Sequence, residues 1–193
     1  MSPRRENSSR RRPPRQRSRT VLVLCSGSRT EPEYLDGLRQ AYRRSGLKIR
    51  VIAKPRDPEG LVRHAQKVFT LDGGELDEVW CVVDVDEFEL DAASRLSERA
   101  GVSLAVSNPC FELWLLLHFD DCHSHVDGAA DAVRRLARHL PAYDKARLVF
   151  ADFAPGVEEA IERATSLDDG QPVGPNPSSG VWRLVSMITK EQQ

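Results

Sequence analysis

The chain has 193 residues, of which 40% are hydrophobic and 30% are charged, and its formal net charge is −1. This length and composition suit one globular domain, and no apolar run is long enough to predict a membrane-spanning helix. The small net charge conceals two unlike parts. Residues 1–20 carry eight of the 28 basic residues and one of the 29 acidic residues, so the remainder has a net charge of −8.

Residues 1–19 form an arginine-rich tail with almost no apolar side chains. Such a composition cannot bury enough surface to offset the entropy lost on ordering, so we expect the tail to be disordered. Its arginines, including Arg10, Arg11 and Arg12, suit the phosphates of nucleic acid. A solubilising arm, or a start site assigned too early, explains the composition equally well. No apolar stretch of about 7–15 residues follows the basic residues before a cleavage site, which argues against a secretory signal.

Four cysteines lie far apart in mostly apolar sequence, without the close spacing of a zinc site. We therefore expect buried thiols and a reducing, cytoplasmic setting. The four are Cys25, Cys81, Cys110 and Cys122.

The first predicted strand is the apolar run Thr20–Cys25, which ends at a short turn beginning with Ser26. Thr30 and Glu33 have the spacing of a capping box, which predicts a helix from Thr30 to about Ser45. A strand, a glycine-containing turn and a capped helix are typical of the first unit of an α/β fold.

A second strand is predicted over Leu47–Ala53, which alternates in polarity and is rich in β-branched residues, as expected near a sheet edge. Asp57 suits the N-cap of a second helix and Pro58 suits its first position. This helix is predicted to end at about Leu71, before two glycines.

The third predicted strand, Glu78–Asp86, is apolar until it reaches two aspartates. A helix over about Leu90–Ala100 and a fourth strand over Val102–Ser107 follow. This alternation predicts an α/β fold with a mainly parallel sheet of about four strands and helices on both faces.

The C-terminal third of a single domain, residues 20–192, is predicted to be helical, with a loop over Gly170–Gly180. The predicted helical segments are Cys110–Phe119, Asp127–Leu140, Gly156–Thr165 and a last helix from about Gly180 to Gln192, capped by Ser179.

Asp84 and Asp86 follow the buried third strand, and side chains two residues apart on a strand point to the same side. Two adjacent carboxylates repel each other unless a cation lies between them, and ligation by oxygen alone suits Mg²⁺ or Mn²⁺. The ordinary alternative is that one aspartate caps the next helix and the other is solvated.

A second polar cluster follows the fourth strand, where Asn108 precedes a proline. Glu112 lies in the first turn of the apolar helix, where it is favoured by the helix dipole or supports a metal ligand. His118 is interpreted as a structural histidine favoured by the C-terminal dipole rather than as a general base. Lys145 can stabilise charge on a phosphoryl transition state, although an exposed lysine needs no such role.

Four segments together resemble the RloB family of bacterial proteins, namely Cys25–Tyr34, Val82–Asp86, Ser107–Phe119 and Asn176–Ser179. The resemblance covers nearly all of residues 20–190, and its most specific block is the third. It implies a Toprim-like (Rossmann-like) fold, as in topoisomerases, primases and OLD-type nucleases. It also implies a Mg²⁺- or Mn²⁺-dependent nucleic-acid nuclease of phage defence, encoded at restriction–modification loci beside an ATPase partner called RloA.

If the chain is an active enzyme, we expect Asp84 and Asp86 to hold the metal, with Glu112 supporting them and Lys145 stabilising the phosphate charge. We expect Arg29 to contact nucleic acid. Toprim-like sites also place a glutamate directly after the first strand, where this chain has Ser26.

Glu31, on the same connection as Ser26, is the candidate to replace the missing glutamate. Without such replacement the chain would be a nucleic-acid-binding or partner-binding module with weakened chemistry. A phosphatase that uses its D-x-D pair is a third alternative.

Overall fold

The structure is a computed structural model that describes residues 18–43, 46–85 and 89–190. The predicted disorder of the N-terminal tail therefore concerns residues that lie almost wholly outside the described part. Arg10, Arg11, Arg12 and Asp86 also lie outside it.

One five-stranded sheet forms the centre of the described chain. Its strands are β1 (Arg19–Cys25), β2 (Leu47–Ala53), β3 (Glu78–Asp84), β4 (Ser103–Asn108) and β5 (Ser178–Ser179). Their order is β2-β1-β3-β4-β5; the first four are parallel, and the short β5 pairs antiparallel with β4. The predicted mainly parallel sheet is confirmed, with β2 at one edge. The fifth strand falls in the region predicted to be a loop.

Seven helices are described, together with two short 3-10 turns at Phe150–Asp152 and Ala154–Gly156. The helices are α1 (Thr30–Ala41), α2 (Pro58–Leu71), α3 (Asp91–Ala100), α4 (Phe111–Leu116), α5 (Gly128–Leu136), α6 (Val157–Ser166) and α7 (Val181–Lys190). The predicted start of α2 is confirmed, because the Asp57 side chain accepts a hydrogen bond of 2.8 Å from the Gly60 amide. None of these helices is long and apolar enough to cross a membrane.

The predicted capping box at the start of α1 is wrong. Thr30 is the first helical residue, and the N-cap residue, Arg29, makes no capping hydrogen bond with its side chain. The Glu33 carboxylate instead accepts a hydrogen bond of 2.9 Å from the amide of Leu148, far along the chain. The helix also ends at Ala41, before the predicted end at Ser45.

The start of the last helix also differs from the prediction. Ser179 lies in β5, and its hydroxyl is 3.3 Å from that of Ser107 on β4. The helix begins at Val181.

Helices cover both faces of the sheet, as predicted. Leu22 and Leu24 of β1 pack with α2 and α3, whereas Val21, Val23 and Cys25 pack with the other helices. All four cysteines are buried and free, which confirms the prediction of buried thiols.

His118 lies beyond the end of α4, inside the larger core, and is 5% exposed. Its Nδ1 atom is 2.9 Å from the Trp114 carbonyl oxygen and its Nε2 atom is 2.9 Å from the Tyr34 hydroxyl. A carbonyl only accepts, so Nδ1 carries the proton and Nε2 accepts from the tyrosine. Burial lowers the pKa of His118 to about 4. The residue is therefore a neutral core histidine, held by hydrogen bonds with Trp114 and Tyr34 rather than by a charge interaction with the helix end.

This burial predicts a pH dependence of stability. The unfolded histidine gains a proton below pH 6.5, whereas the folded one does not until about pH 4. The free energy of unfolding should therefore fall as the pH falls through this window. The contribution of His118 to the free energy of unfolding should therefore be about 2 kcal/mol smaller at pH 5 than at pH 7.5.

Urea denaturation of wild type and His118→Gln at pH 7.5 and pH 5 measures this effect, with exposed His123→Gln as the matched control. The gap in stability between wild type and His118→Gln should shrink at pH 5. A gap that stays constant would contradict the neutral, buried state of His118.

Candidate functional site

A cavity of about 620 Å³ opens beyond the carboxyl ends of β1, β2 and β3. It is lined by the β1–α1 connection, the start of α2, the end of β3, the start of α4 and the turn before Leu148. The lining residues are Ser26, Gly27, Ser28, Arg29, Thr30, Glu31, Arg56, Pro58, Asp84, Phe111, Glu112, Asp144, Lys145 and Ala146. Parallel α/β sheets bind their ligands at this edge, so the cavity is the candidate site.

Three of the four acidic residues that line this cavity lie at the end of β3 or in the first turns of helices that follow strands. Asp84 is the last residue of β3, while Glu31 and Glu112 lie in the first turns of α1 and α4. Glu31 is only 5% exposed and Glu112 only 1%. Burial raises the pKa of Glu31 and the charge of Glu112 raises it further, while backbone hydrogen bonds and Lys145 oppose the rise. The neighbouring charge of Glu112 therefore adds to burial in disfavouring the ionised form of Glu31.

Glu31 reaches back over the turn that follows β1. A Cβ atom built on Gly27 would overlap the Glu31 carboxylate, so the glycine leaves the space that this carboxylate occupies. A backbone hydrogen bond with Gly27 also acts to lower the Glu31 pKa. The carboxylate thus lies beside the turn that begins with Ser26.

Lys145 also lines the cavity and contacts one of these acids. Its Nζ atom is 2.8 Å from Oε1 of Glu112. Burial acts to lower the pKa of Lys145, but the hydrogen bond and charge of Glu112 outweigh it and the pKa is raised. Lys145 is therefore a cation that is held in place by a buried carboxylate while most of its side chain remains exposed.

The turn that carries Lys145 is tied to the start of α1. The Arg29 side chain donates a hydrogen bond of 2.9 Å to the Ala146 carbonyl, and the Thr30 hydroxyl donates one of 3.5 Å to the Lys145 carbonyl. The bond from the Leu148 amide to Glu33 adds a third link. Residues from positions 29–33 thereby fix the position of a lysine more than 110 residues away.

Two arginines add positive charge to the cavity lining. Arg29 was expected from the sequence, but Arg56 was not. Arg56 follows β2, as Ser26 follows β1, so its place after a parallel strand was the signal that could have identified it.

Other sequence-predicted residues lie elsewhere. The Asn108 side chain donates a hydrogen bond of 2.9 Å to the Gly174 carbonyl and does not line the cavity. His118 belongs to the core. The structure thus brings together Ser26, Arg29, Glu31, Asp84, Glu112 and Lys145.

Across residues 18–43, 46–85 and 89–190, no group of three or more His, Cys, Asp or Glu side chains is arranged to hold a metal ion. Mg²⁺, however, usually keeps several waters and needs only one or two protein carboxylates. Asp84 supplies such an oxygen donor in the cavity lining. The donor chemistry therefore fits Mg²⁺ or Mn²⁺.

The ion pair predicts a measurable coupling between Lys145 and Glu112. Lys145→Met would leave the Glu112 carboxylate buried without its cation, and should lower the free energy of unfolding by about 2 kcal/mol. Adding Glu112→Gln to that variant should restore part of the loss, because a neutral amide is cheaper to bury than a carboxylate.

Urea denaturation of both single variants and the double variant gives the coupling free energy. Additive losses would show that the two side chains do not interact in solution.

The family model of the RloB-like proteins matches residues 21–188. This match extends over most of β1 and all of β2 to β5, and it includes every described residue that lines the cavity. No curated protein matches the sequence. The match covers most of the chain, and the chain therefore belongs to the RloB-like protein family.

Proposed function

We propose that the protein is a Mg²⁺- or Mn²⁺-dependent phosphodiesterase that cleaves nucleic acid. The observation that carries the proposal is the meeting of buried acids with Lys145, Arg29 and Arg56 in one cavity at the carboxyl edge of the sheet. A phosphodiester has anionic oxygens that suit the cations, and its hydrolysis needs proton transfer and charge neutralisation, which acids and a metal ion provide.

The cations would bind the substrate. Arg29 and Arg56 can each donate two hydrogen bonds to a phosphate, which fixes its orientation. Lys145 acts as a point charge beside the phosphoryl group, and its pairing with Glu112 orients it before the substrate arrives. Because this orientation is set in advance, charge that develops in the transition state needs little rearrangement.

The acids would have two separate roles, metal binding and proton transfer. Asp84, with Asp86 of the D-x-D pair, would hold the metal ion, which supplies Lewis acidity to the phosphoryl group. Glu31 would take and return a proton, since its raised pKa brings its titration closer to neutral pH. In this arrangement Glu31 does the work of the glutamate that Ser26 replaces.

The family resemblance supports a biological setting for this chemistry. RloB-like proteins are associated with phage defence and with an RloA-like ATPase partner. We propose that the nuclease acts in that setting and that the ATPase controls it.

Asp84→Asn tests the proposed metal-dependent cleavage. The amide keeps the shape of the side chain but loses the charge that attracts the cation, so cleavage should fall by about 100-fold or more. Plasmid and RNA substrates are incubated with Mg²⁺, Mn²⁺ or EDTA, and products are followed on gels. Glu98→Gln, which changes an exposed acid on α3, is the matched control and should cleave like wild type.

Equal cleavage by wild type and Asp84→Asn would refute the assigned role. Salt-sensitive binding without cleavage in either protein would favour a non-catalytic binding module. Hydrolysis of an aryl phosphate monoester, lost in Asp84→Asn, would favour the D-x-D phosphatase.

The role of Glu31 is tested by moving its carboxylate. Glu31→Gln removes the proton-transferring group, and Gly27→Ala displaces it by overlap, so both should lower turnover by about 100-fold. Ser26→Glu added to Glu31→Gln should restore part of the turnover, because it returns a carboxylate to the same turn. Glu162→Gln, an exposed change on α6, serves as the control.

Circular dichroism and urea denaturation must show that each of these variants is folded. Full turnover in folded Glu31→Gln would exclude Glu31 from the reaction.

A further inference from the structure

The segment that leads away from the cavity along β2 and α2 is basic. Residues 48–67 contain six basic and two acidic side chains, whereas residues 21–193 contain 20 basic and 28 acidic ones. The basic residues of the segment are Lys48, Arg50, Lys54, Arg56, Arg63 and Lys67. The surface of an acidic domain thus carries one region of opposite sign.

Four side chains of this segment lie together and are called the basic track here: Lys54, Arg56, His64 and Lys67. His64 and Lys67 are three residues apart on α2, so they are neighbours on one helix face. Lys54 and Arg56 lie on the connection between β2, which ends at Ala53, and α2, which begins at Pro58. Burial lowers the pKa of His64, and the charges of the three other members lower it further.

The basic track joins the cavity at Arg56, which lines the cavity and also belongs to the track. The strand beside it extends the same surface. On β2, Arg50 is in register with Leu22 and Lys48 with Thr20, so both lie on the face of the sheet that α2 covers in part. From Lys48 to Lys54 the extended chain spans roughly 20 Å, or about six phosphates of one B-form strand.

The cations of the basic track have no counter-ion within the described ranges of the chain. None of Lys54, Arg56 and Lys67 has its charged group in an ion pair or hydrogen bond with a described residue. Arg63, on the same helix, differs because it pairs with Glu59. Arg56 and Lys67 are exposed, and Lys54 is half-buried. Cations that repel one another and lack internal partners form a surface that a polyanion would stabilise.

We propose that the basic track binds the sugar–phosphate backbone of a nucleic-acid strand whose neighbouring phosphodiester enters the cavity. The substrate part of this inference rests on the proposed function, whereas binding to the track does not. The cations of the basic track, continued by Lys48 and Arg50 on β2, match the repeated negative charges of a nucleic-acid backbone. An acidic protein partner fits less well, because the centre of a protein interface is apolar. On this face of β2, by contrast, Ile52 alone among the described residues is a large apolar side chain that is exposed, at 39%.

The double variant Lys54→Gln/Lys67→Gln tests the track without changing a residue of the cavity lining. Arg99→Gln/Arg138→Gln is the matched control, since it removes two exposed cations from α3 and from the region after α5. Fluorescence anisotropy measures binding of labelled 30-nucleotide single-stranded DNA, RNA and duplex DNA in EDTA at several salt concentrations. Poly-glutamate of similar length is the comparison polyanion.

To separate any binding by the arginine-rich tail, each measurement is repeated in full-length protein that also carries Arg10→Gln, Arg11→Gln and Arg12→Gln. The Lys54/Lys67 variant should bind at least one of the nucleic acids about tenfold more weakly at low salt. Its slope of log K against log salt should be shallower by about 1.5, the value for two lost phosphate contacts. The control should match wild type.

Three results would overturn the inference: unchanged affinity and salt slope in the Lys54/Lys67 variant, an equal loss in the control, or binding of poly-glutamate as tight as that of nucleic acid. Weaker binding of the nucleic acids by this variant in both tail backgrounds supports it.

The track and the proposed reaction can fail separately. If the protein cleaves nucleic acid, the Lys54/Lys67 variant should show a higher KM for polymeric substrate and an unchanged rate with bis(p-nitrophenyl) phosphate, which is too short to reach the track. If wild type and Asp84→Asn show no difference in cleavage while the Lys54/Lys67 variant still loses affinity, the proposed reaction fails and the track remains.

Discussion

The candidate site depends on keeping two carboxylates, those of Glu31 and Glu112, out of water at the carboxyl edge of a parallel sheet. A buried carboxylate is costly unless a cation or hydrogen-bond donors compensate it. Lys145 compensates Glu112 directly, and backbone hydrogen bonds help to compensate Glu31. The turn that carries Lys145 must therefore be held firmly, which is what the bonds from Arg29 and Thr30 accomplish.

This arrangement couples three parts of the chain that are distant in sequence: the first turn of α1, the start of α4 and the turn that carries Lys145. The first turn of α1 supplies an acid to the cavity through Glu31 and anchors the distant turn through its neighbours. The start of α4 supplies Glu112, whose partner is carried by that turn. Changes at the start of α1 are thus expected to act on the lysine as well as on the acid, because both are parts of one packed unit.

The best-predicted helices and strands are those whose sequence patterns involve only neighbouring residues. The bounds of β2 and α2 agree with the prediction, since alternation and the Asp57-Pro58 start signal are properties of a few adjacent residues. β5 consists of two residues, and its strand character comes only from pairing with β4. The capping box failed for a related reason, because Leu148 provides Glu33 with a partner that no local pattern shows.

The same distinction applies to the site. Strand ends converge in any parallel sheet, so the sequence sufficed to place Ser26 and Asp84 at one edge. It could not show that Glu31 folds back against Gly27 or that Lys145 returns to Glu112, because both depend on tertiary packing. Arg56 was overlooked although it follows a strand, since the Pro/Asp-rich connection around it reads mainly as a helix start.

The charges on β2 have a second consequence, for association between molecules. β2 is an edge strand, and its unpaired backbone groups could add a strand from another chain. Lys48 and Arg50 alternate along it, and such charges oppose the approach of a similar edge. The opposite edge, β5, is only two residues long. Both borders of the sheet are therefore poor templates for further strands, which protects a protein with a largely apolar parallel sheet from edge-to-edge aggregation.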